Sequence, residues 1–514
     1  MPSTPSSPAY DLLVIGGGVN GAGIARDAAG RGLSVLLCEK DDLAAHTSSA
    51  STKLIHGGLR YLEHYEFSLV RKALIERERL MRVAPHIIRP LRFVMPHDAT
   101  QRPAWLIRTG LFLYDHLAHR RMLPGSTRIA LQRHPAGAAL RPGYRVGFEY
   151  SDGWVDDARL VVLCARDAAE RGAHIRTRCR VLRTERAGSA WHAELRGQDG
   201  GIRMVQARAL VNAAGPWAAS VAAQAEPERR ARGLRLVKGS HIVVPRRFTH
   251  EYAYIFQHSD QRIVFAIPYE RDFTLIGTTD VDFPGDPDRV AIDADETAYL
   301  CAVASHYFAQ SVAPADVVWS YSGVRPLLED EHASASAVTR DYQLLLHGEQ
   351  GAAPLLSVFG GKITTFRKLA EDAMDQLAPR LGCRAPAWTE TAPLPGGDIA
   401  ARFPGSRAPD GFDAYVRERQ GALPWLPARL VARYARAYGT RMERLLGGCA
   451  SLADLGDEVL PGLYAAEINY LVEQEWARTA ADILWRRTKL GLHLPMDAEG
   501  RLDRWLSERK ETSA

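Results

Sequence analysis

The sequence predicts an α/β protein whose parallel sheet is interrupted by an antiparallel sheet and followed by a helical domain. Three observations predict it: strand, glycine turn and helix in residues 10–40, short β runs over 234–279, and helical patterning beyond a Pro/Gly segment at 391–397. A length of 514 residues allows two or more domains with a sizeable core. The net charge of +5 is a mild basic bias, compatible with an anionic substrate or membrane surface and too small to argue for nucleic acid.

Residues 10–40 read YDLLVIGGGVNGAGIARDAAGRGLSVLLCEK. The apolar run 12–15 meets Gly16, Gly18 and Gly21 at the GxGxxG spacing, and a helix-compatible segment follows to Ala29. A second buried strand is predicted over 33–37, with Glu39 at its end, about twenty residues beyond the glycines as a Rossmann-type dinucleotide fingerprint requires. The first two glycines let the chain turn tightly and approach a pyrophosphate; the third lets helix and strand pack closely. The helix N-terminus offers unpaired N–H groups to the phosphates. Glu39 would accept hydrogen bonds from a ribose diol and repel a 2′-phosphate, which predicts FAD or NAD rather than NADP. This stretch alone leaves open which of the two binds.

Lys40 follows at once, and then a loop dense in small hydroxyl residues, among them Thr47, Ser48, Ser51 and Thr52, which suits contact with a polar ligand. The run His56-Gly57-Gly58-Leu59-Arg60-Tyr61 is a candidate site floor, and a charged helix follows to about residue 82. Residues 103–119 (PAWLIRTGLFLYDHLAH) are apolar around most of a helix, with Arg108 and Asp115 arguing against a membrane span. A mostly buried helix is the favoured reading there, with peripheral membrane contact kept as the alternative.

A helix is predicted over 156–171 and a strand over 173–178; another strand ends in Ala213-Ala214-Gly215, small residues that let a bulky cofactor approach. Four β runs over 234–279 imply an antiparallel insert that caps the cofactor. Residues 355–377 again read strand, Gly-Gly turn and helix. Beyond 391–397 the chain reads helical to its end; Ile468, Leu471, Val472 and Trp476 recur on one helix face. The basic run 485–489 (WRRTK) reads first as a solvated helix face. Six scattered cysteines without a CxxC pair fit a reduced compartment with no disulfide framework and no metal cluster. The N-terminus carries no signal-like pattern, and no apolar stretch is long enough to span a bilayer.

The segments GGGVNGAGIARDAAGRG, STKLIHGGLRYLE, KGSHIVVP, GTTDVDFPGDP, YSGVRPL, TRDY, GGKITTFRKLAEDA and WARTAADILWRRTKLG occur in order over residues 10–505. In them the chain resembles the FAD-dependent glycerol-3-phosphate dehydrogenases of respiratory glycerol metabolism. Phe366, where the family usually has Tyr, and Cys164, where Asn is expected, depart from the pattern; loss of the Tyr hydroxyl would remove a hydrogen bond near the flavin. The resemblance implies FAD in a Rossmann-like domain of the glutathione-reductase/amino-acid-oxidase type. It implies a unit over 9–388, with dinucleotide-binding segments 9–90, 151–225 and 321–388 and cap segments 91–150 and 226–320, before a helical domain over 389–514. It further implies glycerol 3-phosphate as reductant, dihydroxyacetone phosphate as product, a membrane quinone as acceptor, a peripheral position on the inner face of the cytoplasmic membrane, and a homodimer.

Arginine suits a phosphate because its planar fork stays charged and binds oxygens bidentately. The candidates are Arg325, between Ser-Gly-Val and Pro-Leu-Leu where a surface arginine is unexpected, then Arg60 beside Tyr61, then Arg340, which rests on the resemblance. His56 is the candidate base, with an ordinary pKa of about 6.5. Lys362, after Gly360-Gly361, is the candidate for stabilising negative charge on reduced flavin or alkoxide. Lys238 and His241 are candidates on the cap side. Thr278, Gly361 and Thr364 join Ala214 and Gly215 as cofactor contacts. Oxidation by oxygen, an amine or amino-acid oxidase of the same fold, and a flavin-fold RNA-modifying or RNA-binding protein are the competing readings.

Overall fold

The computed structural model describes residues 9–98, 101–228, 233–258, 260, 262–328, 341–402 and 410–512. Strand β1 (Ala9–Ile15), helix α1 (Val19–Gly30) and strand β2 (Val35–Cys38) form the predicted opening unit. β1 lies between two parallel neighbours, Ile202–Asn212 and β2; Leu355–Phe359 and His174–Arg176 extend the sheet on either side. Helices cover it, so β2 and Leu355–Phe359 are buried throughout, as apolar parallel strands must be. α1 packs against Asp157–Glu170 and Phe366–Leu381. Phe366 is spent on that packing: a Cβ on Gly23 would lie 2.9 Å from its ring. The residue is absent from the cavity wall, so the lost Tyr hydroxyl expected near the flavin falls at a helix crossing instead.

The four β runs form Leu234–Pro245, Ala253–Gln257, Ile263–Tyr269 and Phe273–Gly277. Ile88–His97 and Val146–Val155, which straddle the boundaries expected at 90/91 and 150/151, join the same sheet, so the cap reaches back to residue 88 and on to residue 155. Trp319–Leu328 pairs along Leu234–Pro245, so the insert runs past residue 320, and the chain re-enters the first sheet only at Gln343–His347.

Helix Ala104–His116 differs from its favoured reading. It buries Leu111 and Tyr114, while Trp105, Phe112 and Leu113 stand 69%, 53% and 41% exposed. Tyr65 and Phe67 are exposed on the adjoining segment, which Glu63 ties to Arg102. No helix among the described residues is long and apolar enough to cross a membrane.

The C-terminal region is mainly helical, with one departure: Glu458–Leu460 and Leu463–Tyr464 make a short hairpin around Pro461-Gly462. In helix Ala465–Gln474, Ile468 and Leu471 are buried in a core with Leu430, Val431 and Tyr434. Each such side chain contributes about 1.5–3 kcal/mol relative to exposure. The basic run is no solvated face. Arg487 is buried and donates to both oxygens of Asp42 (2.5 and 2.8 Å), Arg486 donates to Asp42 (2.7 Å), and Trp485 stacks on Trp319 at 4.6 Å. These contacts, with the buried pair Arg159–Glu475, hold the C-terminal domain against the other two.

Candidate active site

β1 pairs with Ile202–Asn212 in register to Ile15↔Asn212, which brings Gly16 beside Ala213. Gly16 has φ +111°, and a Cβ there would lie 2.5 Å from the Ala213 carbonyl oxygen. On Gly21 a Cβ would lie 1.9 Å from the Gly16 carbonyl oxygen, so the third glycine serves helix–strand contact and stands behind the cavity wall. Gly18 precedes α1 and has no side chain of its own to cap the helix. Ser48 Oγ accepts from the Val19 N–H (3.0 Å), and the open helix end faces the cavity with its positive partial charge.

The cavity holds about 660 Å³. Around this end it is lined by Gly16, Gly18, Glu39, Lys40, Thr47, Ser48, Ala214 and Gly215. Glu39 is buried and accepts from the N–H groups of Gly17 (2.7 Å) and Asp41 (2.8 Å). Burial pushes its carboxyl above the ordinary range, against the pull of those two donors. Each oxygen keeps a second lone pair for a ribose hydroxyl. Lys40 pairs with Asp288 and Asp41, and its ammonium lies 4.0 Å from the Trp217 ring, which meets His46 edge-on at 4.7 Å. Trp217 and His46, both lining the cavity, were missed by the sequence reading; an aromatic two residues after Ala-Ala-Gly was the available signal.

Ser51 and Thr52 carry the wall toward the cap. Ser51 donates to Asp157 (2.7 Å), and Thr47 donates to the Val324 carbonyl (2.7 Å), tying the hydroxyl loop to strand Trp319–Leu328. At the far end stand His56, Tyr61, Thr278, Arg325, Gly361 and Lys362. Arg325 is held by Asp280 and by Thr278 Oγ1 (3.1 Å), and lies so close to Gly239 that a Cβ there would meet its guanidinium at 2.5 Å. The Lys362 ammonium sits 3.5 Å from the centroid of the Tyr61 ring. Gly360 and Gly361 have φ +70° and +96°, and Asn20 donates to the Gly360 carbonyl (3.3 Å), fixing this turn to α1.

Several candidates fall elsewhere. Thr364 is buried behind the wall; its hydroxyl accepts from the His56 N–H (3.2 Å) and donates to the His56 carbonyl (3.3 Å), so it braces His56. Arg60 is half-buried and outside the lining. Alternation along Leu234–Pro245 sends Lys238 to the face away from Gly239, where it pairs with Glu296 (2.8 Å) and Asp293 (3.0 Å). His241 is on the cavity side but one layer back, stacked on Tyr321 at 4.8 Å with Nε2 3.0 Å from Thr52 Oγ1. Burial and the positive charges of Arg325 and Lys53 push its pKa well below the ordinary histidine value, which keeps it neutral. Arg340 lies outside the described residues.

The arrangement fits FAD. One end offers a glycine turn that no side chain could occupy, an open helix terminus and a buried carboxylate; the other offers a histidine, a lysine and an arginine in one chamber. Fold and site together define a FAD-dependent oxidoreductase. The family model described as FAD dependent oxidoreductase matches residues 11–367, and the one described as C-terminal domain of alpha-glycerophosphate oxidase matches 387–507. A glycerol-3-phosphate dehydrogenase of Pseudomonas aeruginosa is 54% identical over 98% of this chain and 96% of its own. A D-erythritol 1-phosphate dehydrogenase of Brucella abortus is 51% identical over 94% and 95%. The solved glycerol-3-phosphate dehydrogenase from Bacillus halodurans, complexed with FAD, superposes with a TM-score of 0.77 at 28% identity, covering 98% of this chain and 90% of that one. The chain belongs to the family of FAD-dependent glycerol-3-phosphate dehydrogenases.

Proposed function

We propose that the enzyme oxidises sn-glycerol 3-phosphate to dihydroxyacetone phosphate and passes the electrons to a membrane quinone. The observation that carries this reading is the far chamber, where Arg325, oriented by Asp280, shares a wall with His56 and with Lys362 over Tyr61. Oxidation removes a hydride from C2 and a proton from its hydroxyl, leaving a ketone. FAD, when bound, supplies the hydride acceptor. Arg325 binds the substrate phosphate, and its anchored guanidinium orients C2 as well as adding affinity. His56, its backbone fixed by Thr364, accepts the hydroxyl proton. Lys362 stabilises the negative charge that develops on the alkoxide oxygen or the reduced cofactor.

The exposed aromatic face of helix Ala104–His116 supports peripheral attachment, since apolar side chains beside Arg102 and Arg108 suit an anionic membrane interface. The deciding experiment adds glycerol 3-phosphate anaerobically to the purified flavoprotein, follows flavin absorbance, and reoxidises with a quinone analogue or with oxygen. Bleaching followed by rapid reoxidation by quinone is expected. Bleaching by D-erythritol 1-phosphate alone would move the substrate to a longer polyol phosphate, and reoxidation by oxygen alone would make the enzyme an oxidase. No bleaching by either phosphate would end the reading.

A further inference from the structure

A second cavity, of about 540 Å³, lies on the other side of Cys179 from the flavin chamber; Cys179 lines both. Its walls come from four places: Tyr10 of β1, residues 175–179 at the end of the edge strand of the parallel sheet, the hairpin between strands Ala190–Arg196 and Ile202–Asn212, and Trp476 and Arg478 of the C-terminal domain. Arg176, Arg178, Arg203 and Arg478 line it against a single carboxylate, Asp199. Arg203 pairs with Asp199 at 3.2 Å. Arg178 uses one terminal nitrogen on Asp482 (2.7 and 3.1 Å), while the other, Nη1, is buried and meets no acceptor among the described residues. Arg176 and Arg478 make no ion pair among the described residues.

Arg176 and Arg478 face one space without a carboxylate of their own and repel each other, and the buried Nη1 of Arg178 beside them bears the cost of an N–H without an acceptor. Both penalties are offset by an anion. The field is felt at the shared wall: Cys179 is pulled down to about 7 by its contact with the Cys38 thiol, 3.9 Å away, and by Arg176 and Arg203, against the effect of burial. One carboxylate would leave most of this charge unmatched, whereas a phosphate brings more charge and several acceptor oxygens that arginine forks bind bidentately.

We propose that this cavity binds a phosphorylated small molecule, its phosphate or diphosphate held by Arg176, Arg178 and Arg478 and its planar or apolar remainder set against Trp476. The position gives such a ligand two connections. The Arg178 and Cys179 N–H groups donate to the carbonyls of Asp41 (2.7 Å) and Glu39 (2.8 Å), so the same loop supports the ribose end of the flavin chamber. Asp482, held by Arg178, is also held by Arg486 of the domain contact. The bound ligand therefore stabilises the docking of the C-terminal domain as well as its own site.

Calorimetric titration of the FAD-loaded, full-length enzyme with inorganic pyrophosphate and with AMP tests the proposal, because the flavin chamber is then already filled. The comparison is with Arg176→Ala/Arg478→Ala, two exposed residues whose side chains are outside the lining of the flavin chamber. Saturable binding by the parent is expected, weakened about tenfold or more in the double variant, since each charge-assisted bond lost contributes about 1.5–3 kcal/mol. Flavin content and kcat and KM for glycerol 3-phosphate should be the same in both, and the melting temperature without ligand should be no lower in the double variant. Absence of saturable binding to the parent by either probe would overturn the proposal. So would equal affinity in the double variant, which places the anion in another site such as the substrate chamber.

Discussion

Arg325 stands where strand Trp319–Leu328 meets the cavity, and its orientation comes from Asp280 and Thr278. Its replacement by alanine removes a forked donor without disturbing the glycine turn at the opposite end. Arg325→Ala is therefore expected to raise KM for glycerol 3-phosphate by about tenfold or more with FAD still bound. Unchanged steady-state kinetics would take the residue out of the phosphate site. The glycines, Glu39 and Lys362 were legible in the sequence because tight turns and a close pyrophosphate approach restrict which residues can stand there. Lys238 and His241 were not. Period-two alternation separates their neighbours onto two faces, but the sequence does not say which face meets the cavity, and both residues share the strand with Gly239, whose missing side chain makes room for Arg325.

Among the elements, helix Ala104–His116 shows how little apolar content says about burial. Leu111 and Tyr114 face inward, and Trp105 and Phe112 face out. Replacing Trp105 and Phe112 together by serine is expected to weaken binding to anionic vesicles by about tenfold or more, since each side chain contributes about 1.5–3 kcal/mol on leaving water. Sedimentation with vesicles measures this, and full binding by the double variant would move the contact to another surface. The linker offers a pH test. His86 is 1% exposed and lies under it, where a Cβ on Gly396 would be 3.3 Å from its Nε2. Burial first, and then Arg159, pushes its pKa down to about 3. Between that value and the ordinary 6.5 the unfolded chain holds a proton that the folded one does not. Stability from this residue is full above pH 6.5 and falls by about 1.4 kcal/mol per pH unit as pH drops toward 3. Urea unfolding at pH 7, 6 and 5 should show the parent losing stability faster than His86→Leu by that slope; parallel losses would mean that His86 stays neutral in both states.

At the scale of the whole molecule, the buried pair Arg159–Glu475, with each side chain 1% exposed, fastens the C-terminal domain to helix Asp157–Glu170. Glu475→Ala leaves Arg159 charged and buried, which costs about 3–5 kcal/mol. An early unfolding transition of the C-terminal domain is expected in urea, with flavin still bound; coincident transitions at the parent's midpoint would remove the pair from that role. The parallel sheet, the antiparallel insert and the helical end were readable from local periodicity. The domain contact was not, because WRRTK looks the same on a solvated face as against Asp42, whose place beside it is set by packing over the whole chain. That separation, 445 residues between Asp42 and Arg487, carries a consequence for biosynthesis. At about 5–20 residues per second, a ribosome that has just made Asp42 needs on the order of half a minute or more before its partner emerges. The glycine turn is made in the first seconds, yet Gly360, which Asn20 holds, arrives 340 residues later. The nascent opening unit therefore waits with an acidic residue unpaired and its flavin cradle one-sided, which makes cofactor loading a late event and early chain a client for protection until the last domain arrives.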